Sequence, residues 1–126
     1  TMPHQRGYIW SYHLPRSKFI GFPAIKGNGL FAVAMEGDMI SLDRKQGKEK
    51  WRFKTSNPEI RFTTSPVLIG DWAVAGDSEG TLYWIDQETG AIALKQNYGT
   101  DPINNIAFAE GVLLINSSNG NLSGSY

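Results

Sequence analysis

Cysteine is absent from this 126-residue chain. That excludes a disulfide framework, a thiolate metal site and a cysteine nucleophile, and it leaves the redox compartment open. Histidine is nearly absent too: His4 and His13 are the only imidazoles. His4 falls in residues 1–6, read here as a disordered leader. His13 alternates with Tyr12 on a strand, the setting of an ordinary surface imidazole. No apolar run approaches the roughly 20 residues that a membrane-spanning helix needs. A secretory signal pattern, a Gly-x-Ser-x-Gly elbow and a phosphate loop are also missing. Asp77-Ser78-Glu79-Gly80 lacks the ligand spacing of a calcium loop and reads as a hairpin turn. No catalytic, metal-binding or cofactor-binding residue is therefore assigned, and an enzyme is not expected.

Neither sign of charge dominates, with Lys+Arg and Asp+Glu at 12 each. The distribution is uneven: residues 1–54 carry ten basic against four acidic residues, and residues 55–126 two against eight. A nucleic-acid binder would be basic throughout, so nucleic acid is not an expected partner. Solvated loops of differing sign are the plain reading. The sharper one is that the first and last repeats were made to meet opposite partners.

What the chain does have is a repeat with a period near forty residues. Phe22-Pro23-Ala24-Ile25 precedes Gly37-Asp38-Met39-Ile40-Ser41-Leu42-Asp43. Ser65-Pro66-Val67-Leu68 precedes Gly80-Thr81-Leu82-Tyr83-Trp84-Ile85-Asp86, and Asn105-Ile106-Ala107-Phe108 precedes Gly120-Asn121-Leu122-Ser123. Each copy strings short apolar runs between turn residues, with Asn-Gly or acid-flanked Gly supplying the positive φ of tight hairpins. A strand-built repeat of this length predicts β-propeller blades of four antiparallel strands, about three per chain. The blade units are expected over about 22–54, 65–96 and 105–126. The last is one strand short, and the extra strand 7–14, with Tyr8, Trp10 and Tyr12 alternating, is expected to complete it. Residues 7–126 thus read as one all-β domain, either a partial propeller or half of a dimeric ring.

One motif is specific. Ser41-Leu42-Asp43-Arg44-Lys45-Gln46-Gly47-Lys48-Glu49-Lys50-Trp51 fits Ala-x-Asp-x-x-x-Gly-Lys-x-x-Trp in all but its first position. Asp can bond its own turn, Gly can take the left-handed position, and Trp can pack across to the neighbouring blade. The second copy keeps Asp86 and Gly90 but has Leu94 where Trp would stand. Trp10, Trp51, Trp72 and Trp84 are read as packing residues rather than a ligand platform. On Ser41, Asp43, Gly47, Lys48, Trp51, Asp86 and Gly90 the chain resembles the PQQ-like (quinoprotein-type) propeller repeat, whose tryptophan-docking motif this is. Within it, the stretches 64–85 and 111–123 are similar to the BamB propeller lipoproteins of the outer-membrane β-barrel assembly machinery.

That resemblance implies a non-catalytic scaffold at the periplasmic face of the bacterial outer membrane. It implies a protein partner, a barrel-assembly subunit, and no cofactor. Trp10, Tyr12, Lys18 and Ile20 are the candidate partner-binding residues, Lys18 and Ile20 standing where the family leads one to expect acids. Three blades leave flat apolar faces at both ends, so self-association into a head-to-tail dimer is expected. The alternative is a fragment of a ligand-sensing or quinoprotein-type propeller. A quinone enzyme of this class would need cysteines that the chain lacks.

Overall fold

A computed structural model describes Ser11, residues 19–34 and 37–117, and the backbone of 122–125. The leader 1–6, the expected strand 7–14 apart from Ser11, and with it Trp10 and Tyr12, and Lys18 lie outside the described residues. Eleven strands and no helix are found among those described. β1 (Phe19–Lys26), β2 (Gly29–Ala34), β3 (Asp38–Asp43) and β4 (Glu49–Lys54) form the first blade. β5 (Val67–Ile69), β6 (Trp72–Gly76), β7 (Thr81–Asp86) and β8 (Ile92–Asn97) form the second. β9 (Ile103–Ala109), β10 (Val112–Ser117) and β11 (Leu122–Ser125) form the third. Each blade is an up-and-down antiparallel sheet whose strands pair in sequence order, the arrangement of a partial β-propeller.

β1 begins at Phe19 rather than at Pro23, where the sequence reading placed it. The proline does not open the strand because it sits in a bulge. Pairing runs from Ile20 with Val33 to Ala24 with Phe31, and Gly21 takes φ 60° in between. Pro23 needs no ladder partner there. β9 likewise starts at Ile103, two residues before the expected unit.

Alternation of side chains gives each inner sheet two apolar faces, so the core lies between blades rather than within one. Phe31, Val33, Met39 and Trp51 of the first blade meet Ala73, Ala75, Tyr83 and Ile85 of the second. On the other face of the second blade, Val74, Leu82 and Trp84 meet Ile103, Ile106, Leu113 and Ile115 of the third. The link between the first two blades is sewn in as well. Phe62 is fully buried and bridges to Asp77, and Thr63 donates from its hydroxyl to the Ile103 carbonyl at 2.6 Å.

The two outer faces differ. On the first blade's far face, Ala32, Ile40 and Leu42 are buried, while Phe19, Phe22 and Ile25 of its inner strand are exposed. In the repeat, Phe19 and Ile25 correspond to Phe62 and Leu68, which the second blade turns towards the first. On the third blade's far face, Val112 and Leu114 are open, at 48% and 42%.

Candidate protein-binding surface at the blade seam

The motif builds a turn first. In the first copy the Asp43 carboxylate accepts from the backbone N–H of Lys45 at 2.7 Å and from the Asn28 amide at 2.9 Å. In the second, Asp86 accepts from the N–H groups of Glu88 and Thr89 at 2.8 and 3.0 Å. The glycines close both turns: Gly47 at φ 71° donates to the Asp43 carbonyl, and Gly90 at φ 78° donates to the Asp86 carbonyl. Lys48 contributes its carbonyl, which accepts from Asp43 N–H at 2.8 Å, and its side chain is exposed. The turn bonds hold both carboxyls below their ordinary pKa, for Asp43 led by Asn28 and for Asp86 by Thr89.

Each turn feeds a bulge at the same place in its repeat. Ser41 pairs with Trp51 and Leu42 with Glu49, leaving Lys50 over. Trp84 pairs with Leu94 and Ile85 with Ile92, leaving Ala93 over. Leu94 therefore occupies the ladder position of Trp51, as the alignment required. The two side chains differ in burial. Trp51 is buried on the second blade's turn and its indole N–H donates to the Gln87 carbonyl at 2.9 Å. Leu94 is 47% exposed.

Ser41, the one departure from the motif, is fully buried at this seam and its hydroxyl finds no hydrogen-bond partner. Trp72 and Trp84 stack edge to face at 5.9 Å within the second core. The three described tryptophans are thus packing groups. Asp77 closes the β6–β7 hairpin, accepting from Glu79 and Thr81 N–H at 2.8 and 2.9 Å. Ile20, expected at a partner surface, is half-buried against the inter-blade core.

Above the Trp51 seat the two blades leave a groove of about 630 Å³. Its first-blade wall is the β1–β2 turn with Lys26 and Lys50; its second-blade wall carries Asp71, Asp86 and Glu88. Phe31 lies at the floor. The Lys26 ammonium spans the seam to the Gly70 carbonyl at 2.7 Å, and the Gln87 amide donates to the carbonyls of Gly70 and Trp72 at 3.1 and 2.9 Å. The groove is held on both sides by these cross-blade and turn bonds. Sequence reasoning missed it, along with the roles of Gln87 and Lys26. The one available signal was the change of charge sign from the first repeat to the second.

Comparison with known proteins agrees with this geometry. The family model described as outer membrane protein assembly factor BamB matches residues 6–124. The assembly factor BamB of Vibrio cholerae is 33% identical over 75% of this chain and 32% of its own length. The crystal structure of BamB from Moraxella catarrhalis superposes with a TM-score of 0.70 at 22% identity, covering 82% of this chain and 32% of that one. A europium-containing methanol dehydrogenase shares the fold at a TM-score of 0.54 and 24% identity, over 59% of this chain and 14% of its own. The chain spans less than a third of the length of the curated relatives it matches. With the docking turns, the blade pairing and the family model in agreement over nearly all of its residues, the chain belongs to the BamB family of PQQ-like β-propellers.

Proposed function

We propose that the chain is a non-catalytic propeller scaffold that binds a protein partner in outer-membrane protein assembly, on the periplasmic face of the outer membrane. The observation that carries this reading is the seam between the first two blades. It is a rigid groove whose walls are turns locked by their own hydrogen bonds and by the Trp51–Gln87 and Lys26–Gly70 bonds. Rigid elements presenting loop surfaces suit protein recognition, because little ordering is required on binding. The family supports the same role. The partner it points to is the periplasmic part of the barrel-inserting subunit. Titration of the labelled chain with that purified domain tests the assignment; saturable binding supports it, and none at the highest attainable concentration overturns it.

Self-association is a second part of the proposal, favoured by the exposure of Val112 and Leu114 on the third blade. The arrangement proposed is head to tail, with the exposed Phe19 and Ile25 on the first blade of the other chain. Light scattering showing a well-behaved 14.0 kDa monomer at all concentrations would rule it out.

A further inference from the structure

Three charged side chains on the seam groove are turned to solvent. Lys50 on the first-blade wall, and Asp71 and Glu88 on the second, are all exposed. Among the described residues none of the three side chains enters a hydrogen bond or an ion pair, although other charges do: Arg52 pairs with Asp38 at 2.8 Å and with Glu49 at 2.9 Å. The walls have opposite signs, since Asp86 joins the acidic side and Lys26, bound to Gly70, the basic one. The seam therefore presents an acidic wall facing a basic one, each open to solvent and to a ligand of the opposite sign. An occupant carrying both signs would complement the two walls.

The shape limits what that occupant is. The groove follows the seam and is open to solvent along its top. Gly27, in the β1–β2 turn, gives that wall one position without a side chain. An added Cβ at Gly27 would meet nothing within 4 Å, so there is room on that side. Extended polypeptide places side chains i and i+2 on one face about 7 Å apart, so one short segment can turn both charges into the groove.

Resting on the scaffold reading above, we propose that this groove receives an extended segment of the protein partner carrying a basic and an acidic side chain close together. The basic group lies against Asp71 and Glu88, and the acidic one against Lys50. Recognition is by charge order, because Phe31, the large apolar side chain among the described lining residues, is 2% exposed. Charge order of this kind sets register and selects against segments of the wrong sign.

The test uses the intact chain, isotopically labelled, and three end-blocked synthetic pentapeptides. One has arginine and aspartate separated by glycine, one has glutamine and asparagine in their places, and one has arginine at both. The expected result is that the mixed-charge peptide shifts the amides of residues 27–29 and 87–89, and that the neutral peptide does not. Glu88→Lys should weaken the mixed peptide by about three- to tenfold. Lys50→Glu should reverse the preference, so that the doubly basic peptide binds better than the mixed one. Unchanged denaturation midpoints of the two variants confirm that the fold is intact, as both positions are exposed. Equal shifts from neutral and charged peptides, shifts confined to other residues, or no shift with any peptide would overturn the proposal. Each of those outcomes leaves the scaffold reading to its own test, since the barrel-inserting subunit could still bind elsewhere on the surface.

Discussion

Trp51 of the first blade lies directly on Gly90 of the second. A Cβ added at Gly90 would fall 2.6 Å from the indole Cδ2 atom, and the same glycine sits at φ 78°. The motif's two best-known residues thus belong to different copies of it. The tryptophan of one repeat is seated by the glycine of the next, and a solenoid of such repeats is joined blade by blade.

Trp51→Ala should lower stability by about 3–5 kcal/mol, the range for truncating large buried aromatics. Gly90→Ala should cost about 3 kcal/mol, combining left-handed strain with overpacking against the indole. Urea denaturation with an unchanged slope reads both. Midpoints within error of the unsubstituted chain would show that the seat carries no stability.

Ser41→Ala should stabilise the chain by about 1 kcal/mol. The hydroxyl is buried without a partner, and removing it deletes a desolvation cost while conserving the packing volume. Alanine is also what the family motif carries there. A lowered midpoint would mean that the hydroxyl is satisfied in solution.

The inner rim should behave as a lock and key between Gly21 and Ser65. A Cβ at Gly21 would fall 1.7 Å from the Ser65 hydroxyl oxygen, which accepts from Phe22 N–H and donates to the Ile20 carbonyl. Gly21→Ala should be destabilising by about 2–3 kcal/mol, from the clash and the positive φ together. Adding Ser65→Gly should recover part of that loss, and a double-mutant cycle with no coupling would refute the contact.

Two pH dependences follow, with opposite signs. Burial, and then the neighbouring Asp77 carboxylate, push the Tyr83 pKa well above its ordinary value. The unfolded chain ionises this phenol near pH 10 and the folded chain resists, so stability is constant below about pH 10 and falls above it. Tyr83→Phe should remove that alkaline slope, read as midpoints between about pH 9 and 11. Asp43 and Asp86 have lowered folded pKa values. Their contribution is present above about pH 4 and is lost as pH falls through the folded values. Replacing both by Asn should flatten the acid limb of the same curve, and an unaltered limb would contradict the turn bonds.

The repeat was legible because it is written in turn residues. Gly37, Gly80 and Gly90 punctuate the blades wherever φ must be positive, and Asp43 and Asp86 organise turns from a few residues of local sequence. Strand pairing within blades follows from that punctuation and from alternation, both of which are local. The docking motif could be read too, down to the ladder position that Leu94 shares with Trp51.

Relations between blades were not legible, because they depend on side chains some forty residues apart meeting across a seam. Nothing in the local sequence of Gln87 marks its carbonyl as the Trp51 acceptor, and nothing in Lys26 marks Gly70 as its partner. The start of β1 was misplaced at Pro23 because a proline reads as a boundary, whereas the Ser65 hydroxyl of the next blade holds the bulge that absorbs it. Leu94 and Trp51 illustrate the division. The sequence by itself determined that both stand at one position of a repeating blade. Only the tertiary structure decided that Trp51 is buried, because the Gln87 carbonyl and the Gly90 seat come from a turn some forty residues away, and no residue carries that information in its own neighbourhood.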